Sequence, residues 1–188
     1  LEKKLGRLNI IVEDLGFLTP SVLKLVKDSG FPGMKVLQFA FDPREESDYL
    51  PHNYTSHSVV YTGTHDNETT AGWFKTAPRA CVNFAKKYLS LTKEEGYHWG
   101  MMRGAWASVS DLAIVPMQDV LGLGNEARMN TPSTLGCNWK WRAKAEQITP
   151  KLAGRIRTYM KMYGREPGNA VEESVLAGEN PCSCGSVR

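Results

Sequence analysis

Residues 8–16 read LNIIVEDLG (Leu8 to Gly16), a short apolar run that ends in two adjacent carboxylates and a glycine. A run this short and this rich in Ile and Val predicts a strand over Asn9 to Val12, buried on both faces as in a parallel sheet. Glu13 and Asp14 then stand where the backbone leaves the sheet. In parallel α/β folds that end of a strand is where chemistry gathers. Two like charges side by side, next to a buried strand, push one carboxyl towards staying protonated near neutral pH. A general acid needs that property. The same pair also reads as a solvated turn ahead of Gly16, and the stretch alone does not choose between the two.

Working outward, the pattern of strand, polar loop and helix repeats along the chain. Thr19 and Pro20 give a helix start, Val22, Leu25 and Val26 recur at helical spacing, and Gly30 ends the segment. Lys35 to Phe41 (KVLQFAF) predicts a second buried strand ending in Asp42. Residues 42–57 form a loop long enough to suggest function. Ser58 to Thr62 (SVVYT) predicts a third strand, followed by Gly63 to Thr69 (GTHDNET). Helices are expected over Arg79 to Leu89 and Thr92 to Ala107, the second from a capping box of Thr92 with Glu95. Leu112 to Gln118 (LAIVPMQ) predicts a fourth strand, and a loop rich in Gly, Asn and Trp follows it. Thr149 and Pro150 open a last helix, with Leu152, Ile156, Tyr159, Met160 and Tyr163 on one face. Alternating β and α elements imply a parallel sheet with right-handed crossovers. Four strands, each followed by a polar loop at one end, suit half of an eight-stranded barrel, since a whole one takes roughly 250 residues. No GxGxxG loop follows any strand, which leaves an open dinucleotide-binding sheet without its phosphate cradle.

Composition narrows the function classes. The 188 residues carry a net charge of +3 with mixed signs throughout. The absence of a dominant basic run argues against a nucleic-acid partner. No apolar stretch approaches the roughly 20 residues that span a bilayer, so no membrane association is expected and a cytoplasmic location is the default. Cys81 and Cys137 are isolated, while Cys182 and Cys184 form a CxC too sparse for a zinc site. Neither a metal nor a cofactor is expected.

The candidate chemistry lies at the strand ends. Glu13 follows the first strand and Asp66 the third, and Asp66 is flanked by His65 and Asn67. Paired carboxylates with amides, imidazoles and aromatic rings in nearby loops suit carbohydrate. Sugars offer hydroxyls to Asp, His and Asn, and apolar ring faces to Trp and Tyr. One carboxylic acid can protonate a glycosidic oxygen while a second carboxylate faces the oxocarbenium-like transition state. Against this, an HD dipeptide in a turn is often structural. Trp73, Trp139 and Trp141 read either as sugar platforms or, the favoured reading, as packing residues under the loops, and His52 and Asn53 as braces of their own loop as readily as substrate contacts. Asp14 reads either as a partner that orients Glu13 or as a cap on the next turn. Gln38 and Asp42 are further candidates at the second strand's end.

The runs IIVEDLGFLTP, GFPGMKVLQFAFD, YLPHNY, VVYTGTHDNETTAGW, DLAIVPMQDVLGLGNEARMNTP and NWKWR occur in this order between residues 10 and 142. In sequence and spacing the chain from Leu8 to Gly164 resembles the 4-α-glucanotransferases, also called amylomaltases or disproportionating enzymes, of glycoside hydrolase family seventy-seven. That resemblance implies a retaining (β/α)₈ TIM-barrel enzyme. Such an enzyme cleaves an α-1,4-glucan or maltooligosaccharide and passes the glycosyl unit to the 4-hydroxyl of another glucan. By motif, Glu13 of EDLG corresponds to the general acid/base and Asp66 of THDN to the transition-state-stabilising carboxylate. His65 corresponds to a sugar-binding histidine and Asn130 to a glucan contact, with Asp14 and Asp42 as additional substrate-binding candidates. A cytoplasmic location is implied, or a plastid one in a plant or alga.

The resemblance also sets limits. The family's nucleophile is an aspartate in an Arg-x-Asp-His context at an earlier strand end, and no such motif occurs in these residues. A retaining mechanism needs it. The chain is therefore expected to be the C-terminal part of the enzyme, the second half of the barrel over residues 1–164, missing the N-terminal half as its partner. Residues 165–188 are expected to be a disordered or aberrant tail. Alone, the chain is expected to be inactive and prone to aggregate through open strand edges. The alternatives are a non-catalytic remnant that at most binds glucan, and an α-glucan hydrolase of the same clan. Cys137 stands where the family usually has glycine, which questions that loop's backbone geometry.

Overall fold

A computed structural model describes residues 4, 6, 8–16 and 18–166. Cys182, Cys184 and nearly all of the expected tail lie outside the described residues. Three strands, β1 (Gly33–Val36), β2 (Ser58–Tyr61) and β3 (Leu112–Ile114), form a parallel sheet in chain order. Gly33 is opposite Ser58, and Val59 is opposite Leu112. Six α-helices accompany them among the described residues: α1 (Pro20–Ser29), α2 (Thr70–Thr76), α3 (Arg79–Tyr88), α4 (Tyr97–Trp106), α5 (Met117–Val120) and α6 (Pro150–Met162).

The expected first strand is reduced to one parallel bridge, Val12 to Gly33, with Val12 N–H donating to the Pro32 carbonyl at 2.9 Å. Among the described residues it has a neighbour on one side only, so it neither completes a ladder nor buries both faces. Ile10 and Ile11 stay 36% and 40% exposed. Two other strands are shorter than the apolar pattern suggests. After Val36 the chain turns into a 3₁₀ segment, Leu37–Phe39, which leads to Asp42. After Ile114, Pro116 ends strand pairing and heads α5. Helix α4 starts at Tyr97, later than the Thr92 cap would place it. Thr92 Oγ1 does accept from Glu95 N–H at 3.2 Å. The Glu95 carboxylate, however, is taken by Arg103, and Gly96 enters the helix at φ 90°.

Helix α4 joins the two halves of the core. Met101 and Ala105, one turn apart, enter a cluster with Leu37, Phe41, Val60, Trp73 and Ala85 from the strands, loop and helices α2 and α3. Trp99, Met102 and Trp106 point to the other side and pack with Val120 against Leu152, Ile156, Tyr159 and Tyr163. Those α6 residues are the face that the helical spacing anticipates. Thr149 Oγ1 caps that helix by accepting from Leu152 N–H at 3.2 Å. Helix α1 is capped as expected by Thr19, yet buries no residue, and Leu23 and Leu25 are 51% and 67% exposed. The 42–57 loop is self-supporting: Asn53 donates to the Ser47 carbonyl and the Tyr54 hydroxyl to the Tyr49 carbonyl. His52 Nδ1 lies 2.8 Å from the Tyr88 hydroxyl. Both residues therefore serve the loop and its packing on α3.

Candidate active site

Because the strands are parallel, their C-terminal ends share one edge of the sheet. The segments that leave there line an open cleft of about 1390 Å³. Glu13 follows the Val12 bridge, Tyr61 closes β2, and His65 and Asp66 follow on the next turn; all four line this cleft. The geometry thus brings the two principal candidate carboxylates to one cavity. Glu13 is exposed there, beside the Tyr61 phenol. Burial pushes the Tyr61 pKa up, and the Glu13 charge adds to that, so the phenol keeps its proton. Tyr61 was read from sequence only as a strand residue; its role in the cleft follows from where β2 ends.

Asp66 is held from several directions. Asn130 Nδ2 donates to Asp66 Oδ1 at 2.5 Å, and His65 Nε2 lies 3.3 Å from the same oxygen. Arg128 donates from Nη2 to the Asp66 carbonyl at 2.6 Å and from Nε to the Asn130 carbonyl at 2.8 Å. Asn130 N–H donates to the His65 carbonyl at 3.1 Å. The loop after β2 and the loop after α5 are therefore fastened together at Asp66. Asn130 acts on Asp66 and is not among the residues lining the cleft. Arg128 escaped the sequence reading, its only signal being its place in EARMN.

The other candidates divide. Asp14 lines the cleft, but its Oδ1 accepts from Met34 N–H at 2.7 Å, which fastens the Glu13 segment to β1. That accounts for Gly33: a side chain there would collide with the Asp14 carboxylate. Asp42 does not line the cleft. Arg44 chelates it, with Nε to Oδ1 at 2.9 Å and Nη2 to Oδ2 at 2.6 Å. Those hydrogen bonds hold its pKa down to about 2. Gln38 braces the site loop by donating to the Glu68 carbonyl at 2.9 Å.

Asp119 was not anticipated at all. It is 1% exposed and lies on α5 beneath the loop that carries Asp66. Its carboxylate accepts from Thr62 Oγ1 at 2.6 Å, Thr70 N–H at 2.7 Å and Thr70 Oγ1 at 2.7 Å. Thr62 and Thr70 flank residues 63–69, so one buried carboxylate ties both ends of the loop. Burial raises its pKa, and the three hydrogen bonds only partly offset this. Of the tryptophans, Trp73 is buried against Phe41 and Phe74, as a packing residue should be. Trp139 is not: it is 52% exposed and lines the cleft. The left-handed positions of its loop are Ser133, Gly136 and Trp139, so Cys137 can replace glycine without strain. Among the described residues no group of three or more His, Cys, Asp or Glu is placed to hold a metal ion.

A profile of the family described as 4-alpha-glucanotransferase matches residues 1–148. The chain belongs to the 4-alpha-glucanotransferase family. The 4-alpha-glucanotransferase of Clostridium butyricum is 51% identical over 166 residues, which make up 88% of this chain and 34% of that protein. The Synechocystis sp. 4-alpha-glucanotransferase is 47% identical over 167 residues, 88% of this chain and 33% of its own length. Among solved structures, the amylomaltase from Streptococcus agalactiae in complex with acarbose superposes with a TM-score of 0.84 at 36% identity. That match covers 88% of this chain and 34% of the other. The chain thus spans about a third of the length of these 4-alpha-glucanotransferases.

Proposed function

We propose that the chain forms the second half of a (β/α)₈ glucanotransferase barrel, contributing the acid/base Glu13 and the stabilising carboxylate Asp66. The observation that carries this reading is that Glu13 and Asp66 leave parallel strand ends into one cleft, with Asp66 fixed by Asn130 and Arg128. In the proposed reaction Glu13 protonates the glycosidic oxygen of an α-1,4-glucan as it departs. An aspartate in the N-terminal half attacks the anomeric carbon, forming a covalent glycosyl-enzyme. Asp66 accepts hydrogen bonds from the donor sugar's hydroxyls as charge develops on the ring, and His65 adds a polar contact beside it. Glu13, now ionised, takes the proton from the 4-hydroxyl of an acceptor sugar, whose oxygen displaces the aspartate. Two displacements at one carbon retain its configuration. The chemistry uses carboxylates alone.

The N-terminal half of the barrel is proposed as the partner that covers the sheet's two open edges. Support comes from Ile10 and Ile11 at one edge and Leu112 and Ile114 at the other, all at least 36% exposed. Residues 1–164 are proposed as the catalytic part. No helix among the described residues is long and apolar enough to cross a membrane, and a cytoplasmic enzyme is the proposed setting. The test is to join this chain in register to the remaining N-terminal part, about two thirds, of the Clostridium butyricum relative. The completed enzyme is then supplied with maltotriose. Glucose together with chains longer than the substrate is the expected outcome. Glucose and maltose without longer products would convert the reading to a hydrolase, and no turnover would overturn it.

A further inference from the structure

Trp139 has features that packing does not explain. Its φ is 65°, a left-handed conformation that a bulky residue adopts only under constraint. Three groups supply that constraint. Its N–H donates to the Met129 carbonyl at 2.7 Å, and its carbonyl accepts from Arg142 Nη1 at 2.9 Å. The preceding residue, Asn138, accepts from Thr131 N–H at 3.0 Å and donates to the Thr134 carbonyl at 3.1 Å. The loop thus holds a strained backbone in place and presents an indole that stays 52% exposed. Trp73, Trp99 and Trp106, by contrast, are 3–8% exposed and sit in the core. The Trp139 ring lies against His65, centroids 5.0 Å apart and tilted by 39°, and His65 Nε2 is 3.3 Å from Asp66 Oδ1. An apolar plane and a hydroxyl-binding edge therefore meet at one wall of the cleft. A pyranose has that same division between C–H face and hydroxyl rim.

We infer that Trp139 is a stacking platform for a glucosyl unit next to the one held by Asp66, an inference that rests on the glucan reading of the cleft. The ring takes the apolar face of that unit, while His65 and Asp66 take hydroxyls of the adjoining donor sugar. The same contact fixes the His65 imidazole, so the platform also orders one polar partner. Since stacking acts on bound sugar before and during reaction alike, its loss raises KM more than it lowers kcat.

The test uses the completed enzyme with Glu13→Gln, which suppresses turnover, and titrates it with maltoheptaose by calorimetry. Adding Trp139→Ala weakens binding by about tenfold, the worth of one lost aromatic contact. Trp139→Phe keeps most of the affinity. Trp139→Gly tolerates the positive φ, and so separates loss of the ring from collapse of the loop; it binds as weakly as the alanine variant. Leu135→Ala, in the same loop but 99% exposed and away from the cleft wall, leaves binding unchanged. Equal affinity in the presence and absence of the indole overturns the platform and leaves the glucan site standing. Failure of the Glu13→Gln protein itself to bind maltoheptaose overturns both.

Discussion

Removing the Asp119 carboxylate should loosen the loop that carries Asp66 before it disturbs the rest of the fold. Asp119→Ala strands the Thr70 N–H and two hydroxyls that now donate to it at 2.6–2.7 Å. The hydroxyls can turn to other acceptors, but the N–H at the start of α2 cannot. An unmet buried donor costs about 1–3 kcal/mol, and hydrogen bonds to a charged group are worth about 1.5–3 kcal/mol each. Relief of the carboxylate's own desolvation offsets part of that sum, leaving about 3 kcal/mol. Asp119→Asn keeps an oxygen for Thr70 N–H and should cost about 1 kcal/mol. Hydrogen exchange in the completed enzyme reads this locally: the alanine variant should lose roughly 10²-fold protection at the Thr70 amide. Residues of α3 and α4 should keep theirs. The pH dependence has a definite sign. Burial raises the folded-state pKa of Asp119, so its contribution to stability is full below the unfolded value of about 4 and declines as pH rises through the folded value. The deficit of Asp119→Asn against wild type should therefore narrow as pH rises from about 4. Unchanged protection at Thr70 in Asp119→Ala would refute the clamp.

Two further perturbations probe the scaffold. A β-carbon at Gly63 would sit 2.7 Å from Gln38 Nε2 and 3.2 Å from Asn67 Cβ, and the Gln38 amide is already committed to the Glu68 carbonyl. Gly63→Ala should cost about 2 kcal/mol by overpacking, read as a lowered thermal midpoint, and an unchanged midpoint would show slack in the loop. Glu95 is bound by Arg103 at 2.8 and 3.1 Å and by the Tyr159 hydroxyl at 3.0 Å. Burial raises its pKa, but those bonds outweigh it and the net direction is down. Its stabilisation is present above the unfolded value of about 4.3 and is lost as pH falls through the folded value. Protection of α6 should therefore fall on acidification below pH 4.3 in the wild type, and Glu95→Gln should remove that dependence.

The sequence was most legible where local rules act alone. Thr19, Pro20 and Gly30 bounded α1, and Thr149, Pro150 and the apolar face of α6 stand where the spacing puts them. Apolar runs overstated the strands because Val36 and Ile114 end their ladders while the hydrophobic pattern continues into buried 3₁₀ and helical turns. Helix α2 went unread since Thr-Thr-Ala-Gly-Trp has no helical period; its start depends on Thr69 capping Gly72 N–H and on Asp119 from 49 residues away. Motif and strand ends single out Glu13 and Asp66 as candidates, and both line the cleft. Asp119, Arg128 and the exposed face of Trp139 were not legible, because each acquires its role from a contact distant in sequence. Asp119 follows an expected strand with no local signal of its own, and it gains a role only where Thr62 and Thr70 close around it.

The central claim is that Glu13 supplies the proton that frees the leaving sugar. The most direct measurement compares Glu13→Gln with wild type, in the completed enzyme, on two donors: maltotriose, and maltosyl fluoride, whose fluoride needs no protonation to leave. With maltotriose the variant should lose about 10²–10⁴ in rate, the usual worth of a general acid. With maltosyl fluoride it should still release a burst of fluoride stoichiometric with enzyme, then stall for want of a base. An equal loss on both donors, or no loss on either, would contradict the assignment.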